Sequence, residues 1–347
     1  MAPAMKDKVT DMGAIARNPA WLAHRYDERQ DQIHLIHVDR EQRASATFLT
    51  DEYLKPDPPL VVSRSAMLAK APAPAPMHFI FHTAYCCSTL LARALDRPGM
   101  ASTLKEPVLL NDMVGWRHRG GTGRQIAMVM DQGLGLLARP FAAGEAMIIK
   151  PSNIVNGLIP AMMAMKPDAK ALLLYAPLEQ YLSSIARKGL WSRRWARELL
   201  IKQIRDGAIP FGFDQNDYLE LTDLQAAAVG WLAQKAQFAA LLQSLGPDRV
   251  RSLDSDRLMA EPANSMAELI RHFRLSIDDG GIDAILAGPA FTTDSKTGNA
   301  FGVERRNDDK RQAIAAHGEE IAMVLRWAEE LATRFEVPMQ LDHGLNG

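Results

Sequence analysis

Cysteine is nearly missing from this chain of 347 residues: the two it has, Cys86 and Cys87, are neighbours. Adjacent Cα atoms lie about 3.8 Å apart, too close for a relaxed disulfide. A disulfide-stapled fold is therefore excluded. An excess of either charge is missing too. Lys and Arg number 40 against 41 Asp and Glu, a net charge of −1. No global field draws the chain to nucleic acid or to a membrane, so neither partner is expected. There is no run of about eighteen uninterrupted apolar residues, so no transmembrane helix is expected. The opening MAPAMKDKVTDMGAIARNPAW lacks the apolar core of a signal peptide, and the cytoplasm is the expected location. The histidines of HRYDERQDQIHLIH fall on a strand pattern, no zinc-type spacing accompanies them, and no metal is expected. What remains is an ordinary globular composition, 47% hydrophobic and 23% charged, with enough length for one large α/β domain or two smaller ones.

The stretch APAPAP, Ala71–Pro76, reads as a stiff extended linker. It divides the chain into a small N-terminal unit (1–70), the linker (71–76) and a main α/β domain (77–347). In the first unit QIHLIHVDR alternates like a strand. In the main domain HFIFH, AMIIK, KALLLYAP and RVRSLDSDRL predict four buried strands, with helical patterns between them. The expected fold class is α/β, a parallel sheet flanked by helices, with a small N-terminal α+β extension. Pro160 interrupts the helix predicted over NIVNGLIPAMMAMKP. Gly246 ends a long helix that starts at Asp223. WRHRGGTGR, Trp116–Arg124, reads as a flexible basic loop suited to a lid. RKGLWSRRWAR, Arg187–Arg197, reads as a solvated basic helix face with its tryptophans packed inward.

The chemistry centres on HFIFHTAYCCSTLLARAL, His78–Leu95: a buried strand, a tight loop, then an amphipathic helix. Such a turn offers backbone N–H groups at the positive end of a helix, to which Ser88 and Thr89 add two hydroxyls. That set can hold a phosphate or sulfate. A nucleoside triphosphate loop reads GxxxxGK[ST], and the lysine is missing here, which disfavours ATP or GTP hydrolysis. Cys86 and Cys87 read as small packed side chains rather than a redox pair.

Four more stretches follow in order: STLKEPVLLND, MIIKPSN, KALLLYAPLEQYLSS and RSLDSDRLMAEPANSMAELIRHFRLSID. Together with the loop this set resembles the sulfotransferase family, in particular the branch of tyrosylprotein and bacterial sulfotransferases, over roughly residues 77–300. The resemblance implies a P-loop NTPase-like fold and 3′-phosphoadenosine 5′-phosphosulfate as co-substrate. The family's phosphosulfate loop, similar to P-[RK]-S-G-T-T-x-L, matches Ala84 through Leu91, so Tyr85, Cys86, Cys87, Ser88, Thr89 and Leu90 are implied to bind the donor. Tyr85 stands where the family has a basic residue, and Cys87 where it has glycine. The family's 3′-phosphate motif, R-[DN]-P with a serine eight residues after the arginine, matches Tyr175-Ala176-Pro177 and Ser183; the arginine is again absent. Arg187, one helical turn beyond Ser183, shares its face.

Sulfuryl transfer needs alignment and cationic stabilisation of developing charge, so the missing cations need a replacement. Lys150, at the end of a strand beside the loop strand, is the first candidate; Lys105 and Arg187 come next. Glu106, in the Glu-Pro that follows the first helix, is the implied general base. The late stretch DSKTGNAFGVERR offers Lys296, Arg305 and Arg306 as a loop closing over the nucleotide. The expected acceptor is a small molecule or peptide carrying a hydroxyl or amine. Two other readings stand beside transfer: a non-catalytic nucleotide- or anion-binding protein, and a kinase-like phosphotransferase. The acceptor's identity and the oligomeric state are not legible in the sequence.

Overall fold

The structure, a computed structural model, describes residues 11–294, 298–300 and 302–345. Its main sheet has five parallel strands in the order β5-β6-β4-β7-β8. These are β4 (Met77–His82), β5 (Ala101–Lys105), β6 (Ala146–Lys150), β7 (Ala171–Tyr175) and β8 (Val250–Asp254). Every residue of β4, β5, β6 and β7 is buried. A parallel strand is covered on both faces, so most of these segments read as continuous apolar runs.

Four of the five strands coincide with the segments predicted to form them, and three of these, β4, β6 and β7, are apolar runs. The fifth, β5, has the sequence ASTLK, which shows neither an apolar run nor a clean alternation. Its Ser102 hydroxyl is satisfied by Glu145 at 2.6 Å, and such partners let small polar residues enter a core.

The helices that matter to the site are α1 (Ser88–Leu95), α2 (Val108–His118), α3 (Gly123–Leu137), α4 (Leu178–Arg187), α5 (Leu190–Arg205), α6 (Asp223–Leu245) and α7 (Val303–Arg334). From β4 the chain moves to one edge of the sheet, then crosses to the other after β6. Ligands of open α/β sheets bind beyond the strand C-termini at such a reversal. The loop after β4 and helix α4 after β7 border this position. Gly246 caps α6 with φ +71°, a conformation that favours glycine. Pro160 sits in the first turn of the helix Ile159–Met165, after a 3₁₀ turn over Asn153–Leu158, where its missing N–H matters least. α7 is broken at His317, whose φ of −137° is not helical.

Residues 21–63 contain a separate antiparallel sheet, β1 (Trp21–Asp27), β2 (Gln32–His37) and β3 (Leu60–Ser63), in that order. β1 packs on α2 and α3. Tyr26 lies 5.6 Å from Trp116, and the Tyr26 N–H donates to Asp112 at 3.0 Å. The Ala/Pro stretch has no regular structure; Ala75 N–H donates to the Ala138 carbonyl at 3.0 Å.

Two local expectations need correction. Trp116–Arg124 is not a free loop: it is the end of α2, a short turn and the start of α3. Arg117 and His118 hold Asp206, at 3.3 and 2.8 Å. In the basic segment, Trp195 packs edge-on against Tyr85, but Trp191 is 71% exposed. Among the described residues no helix is long and apolar enough to cross a membrane.

Candidate functional site

The loop after β4 is held in a conformation most side chains avoid. Ala84, Tyr85 and Cys87 have φ of +74°, +52° and +62°. Each non-glycine residue in the left-handed region costs about 1–2 kcal/mol, and such strain persists where surrounding structure over-determines it. Tyr85 shows how. Its ring meets Trp195 at 5.4 Å and Tyr181 at 5.8 Å. Its hydroxyl hydrogen-bonds Ser192, and the Lys188 ammonium lies 4.5 Å over its face. Burial raises the Tyr85 pKa, so the phenol stays neutral. Burial likewise pushes the Cys86 thiol up to about 12, and Cys86 is 1% exposed. It acts as a small packed side chain.

Cys87 is the N-cap residue of α1, and its side chain makes no capping hydrogen bond. Replacing Cys87 by glycine is expected to raise stability by about 0.5–1 kcal/mol, the left-handed strain relieved less the added chain entropy. Urea unfolding measures this; a lower midpoint would show that the thiol's contacts outweigh the strain.

In front of α1 lies a cleft of about 160 Å³, room for about five waters. Tyr85 through Leu90 form one wall. Gln180, Ser183, Ser184, Arg187 and Lys188 of α4 and the segment after it form the second. Thr293, Asp294, Arg306, Asp309 and Lys310 form the third. Ser183 is 2% exposed, and its hydroxyl oxygen has no hydrogen-bond partner among the described residues. A buried hydroxyl without a partner loses about 1–3 kcal/mol, so this one awaits a ligand atom or a water.

Arg187, Arg306 and Lys310 of the cleft are braced by carboxylates. Arg187 donates to Asp309 at 2.8 Å, and Lys310 to Glu179 at 2.5 Å. Arg306, 8% exposed, is fixed by the Ser255 carbonyl and hydroxyl, each at 2.8 Å, and by Asp256.

Tyr85, Cys86, Cys87, Ser88, Thr89, Leu90, Ser183 and Arg187 are thus brought to one cleft. Glu106 and Lys150 lie together outside its lining, at the C-terminal ends of β5 and β6. The Lys150 ammonium donates to Glu106 at 2.5 Å and lies 4.9 Å from the Phe48 ring. Lys150 is fully buried, whereas the Glu106 side chain keeps 17% exposure. Glu106 has a left-handed φ of +58°, and its N–H donates to the Lys150 carbonyl at 2.7 Å.

Three candidates sit elsewhere. Tyr175 is 3% exposed, and its hydroxyl donates to Gln340 at 2.8 Å; it is not among the residues lining the cleft. Lys105 is fully buried and donates to the Ala44 carbonyl at 2.8 Å. Burial lowers its pKa to about 8, and it lies off the cleft. Lys296 lies outside the described residues.

Sequence reasoning missed Gln180, Asp309 and Lys310 on the cleft. A signal existed for one of them: Lys310 follows Arg306 at i+4 on one helix face. His82, read only as the end of a strand, is the other omission. Its ring lies 3.8 Å from Glu106 and accepts the Ala84 N–H at 3.0 Å.

No protein-family profile and no curated protein sequence matches the chain. Solved structures similar to it include a sulfotransferase domain from the curacin biosynthetic pathway, at 12% identity and a TM-score of 0.43, covering 72% of this chain and 99% of that one. A sulfotransferase from Mycobacterium avium is similar at 11% identity and a TM-score of 0.43, over 72% of this chain and 78% of its own. The sulfotransferase domain of the Synechococcus PCC 7002 olefin synthase is 18% identical, with a TM-score of 0.38, over 66% of this chain and 81% of that one.

Proposed function

We propose that the chain is a sulfuryl-transfer enzyme that takes 3′-phosphoadenosine 5′-phosphosulfate as donor and a hydroxyl or amine of a small molecule or peptide as acceptor. The observation that carries this reading is Ser183, whose hydroxyl is buried with no partner among the described residues and which lines the same cleft as the start of α1. A single helix terminus binds anions weakly and generally. Two polar features lining one cleft suit a ligand with two anionic groups. In this reading the amides of the loop and the hydroxyls of Ser88 and Thr89 take the 5′-phosphosulfate. Ser183 and Arg187 take the 3′-phosphate, so Arg187 substitutes for the arginine the family motif carries at the position of Tyr175.

The acceptor oxygen or nitrogen attacks sulfur, the bond from sulfur to the phosphate oxygen breaks, and the bisphosphate nucleotide leaves. Glu106 takes the acceptor's proton. Its carboxylate has two oxygens, and the contact with Lys150 uses one. Lys150 orients that carboxylate through this charge-assisted contact. This role differs from that of a cation on the sulfuryl group.

Calorimetry with adenosine 3′,5′-bisphosphate, ATP and inorganic sulfate tests the reading. Preferential binding of the bisphosphate is expected, and Arg187→Ala should weaken it about 10–100-fold, the loss of a charge-assisted contact. Stronger binding of ATP would favour a kinase-like protein. Binding of no nucleotide would refute donor recognition.

One observation favours a non-catalytic nucleotide-binding protein. Lys150, the first candidate for a cation on the reacting group, is fully buried and off the cleft. Tight bisphosphate binding without transfer to any acceptor would identify that case.

A further inference from the structure

We propose that His82 is a positioning residue that ties the anion loop to the Glu106 carboxylate, so that donor and base are held by one imidazole; this rests on the sulfuryl-transfer reading above. His82 is the last residue of β4 and is 4% exposed. Its strand end is fixed from the other side, because Asn156 Nδ2 donates to its carbonyl at 3.1 Å.

The ring's protonation follows from its partners. The Ala84 N–H lies 3.0 Å from Nδ1. A backbone amide can only donate, so Nδ1 carries no hydrogen. In the neutral ring the hydrogen therefore sits on Nε2. Nε2 lies 3.1 Å from the Pro151 carbonyl and 3.8 Å from Glu106 Oε1. One face of the ring thus serves the loop, and the other serves the segment after β6 and the base.

The residues at both ends of this link are strained. Ala84 and Glu106 each hold a left-handed φ, +74° and +58°. Neither is glycine, so neither conformation maintains itself. The imidazole grips the amide of the first and approaches the carboxylate of the second. Lys150 completes the brace, since its carbonyl accepts from Glu106 N–H at 2.7 Å and its ammonium donates to the Glu106 side chain. His82 touches neither ligand pocket wall nor reacting atom; it acts through Ala84 and Glu106. Removing its Nδ1 would free the loop amides that define the anion seat. Removing its Nε2–H would loosen the base without altering that seat.

Two substitutions separate the halves of the ring. In His82→Asn the side-chain oxygen can still accept from Ala84, but nothing reaches Pro151 or Glu106. In His82→Gln the amide nitrogen reaches the Nε2 position, and Ala84 loses its acceptor. The expected result is a split. His82→Asn keeps wild-type affinity for adenosine 3′,5′-bisphosphate and loses about tenfold or more in kcat, as misaligned groups do. His82→Gln weakens bisphosphate binding about tenfold, the loss of one loop contact. Wild-type binding in His82→Gln, or wild-type kcat in His82→Asn, overturns the proposal. A two-bond proton–nitrogen spectrum of the unmodified protein tests the tautomer directly, whatever the variants' folding. The Nε2–H form is expected, and a hydrogen on Nδ1 overturns the proposal. If the unmodified protein binds no bisphosphate, the sulfuryl-transfer reading fails instead, and the tautomer measurement still decides the link.

Discussion

Glu106→Gln is expected to lower kcat about 10²–10⁴-fold, the contribution of a positioned general base, while adenosine 3′,5′-bisphosphate still binds. Glutamine keeps the shape of the side chain but cannot accept a proton at neutral pH. The substitution has a second effect that must be separated from the first. Lys150 is fully buried and its ammonium is paired with this carboxylate. Leaving such a charge uncompensated destabilises by about 3–5 kcal/mol. A fall in activity alone would therefore not distinguish lost chemistry from lost structure. The double variant Glu106→Gln/Lys150→Met removes the stranded charge and fills its space with an unbranched apolar chain. Its melting temperature is expected to recover towards that of the unmodified protein, and its turnover is not. Turnover is read as transfer from sulfur-radiolabelled 3′-phosphoadenosine 5′-phosphosulfate to a mixture of phenol, sugar and peptide acceptors. If the double variant regains both stability and activity, Glu106 is a structural partner of Lys150 and not the base.

Much of this architecture could be read from the chain, and the failures follow a physical pattern. β4, β6 and β7 are apolar runs that continue because both faces are covered. β5 escaped because ASTLK signals burial through partners, such as Ser102 with Glu145, that periodicity does not contain. The loop and Ser183 could be found because strand, turn and helix are local in sequence. Of the third wall only Arg306 could be named from sequence, as part of a late basic segment. Arg306, Asp309 and Lys310 come from a helix more than a hundred residues after α4, and only packing brings the two together. Tyr175, matched through the family motif, does not line the cleft. Its distance from Ser183 in sequence suits the family motif, yet a strand end points where the sheet directs it, here into the core beside Lys235.

Stability is expected to rise with pH because of Lys235, and Lys235→Met should remove that dependence. Lys235 is fully buried in α6. Its ammonium nitrogen lies 3.4 Å from the Tyr175 ring and 5.2 Å from that of Trp231. It has no hydrogen-bond partner among the described residues. Ring faces favour the charged form, but they replace only part of a lost hydration shell. Burial dominates and lowers the pKa to about 6, with the charge of Asp254 acting in the opposite direction. In the unfolded chain the amine has its ordinary pKa of about 10.4. Between those two values the unfolded state binds a proton that the folded state does not, so stability increases with pH by up to about 1.4 kcal/mol per unit. The penalty vanishes above the unfolded pKa. Below about pH 6 both states are protonated, and it changes no further. Methionine has nearly the same length, pairs well with aromatic rings and carries no proton. The variant should therefore be the more stable protein at neutral pH. Its advantage should shrink by about 3 kcal/mol between pH 6.5 and 9, because 2.5 units lie inside that window. Urea unfolding at the two pH values measures the difference. A constant gap would mean that Lys235 stays charged in the folded state, held by the two rings and Asp254. A variant less stable at both values would mean that the amine contributes contacts methionine cannot supply.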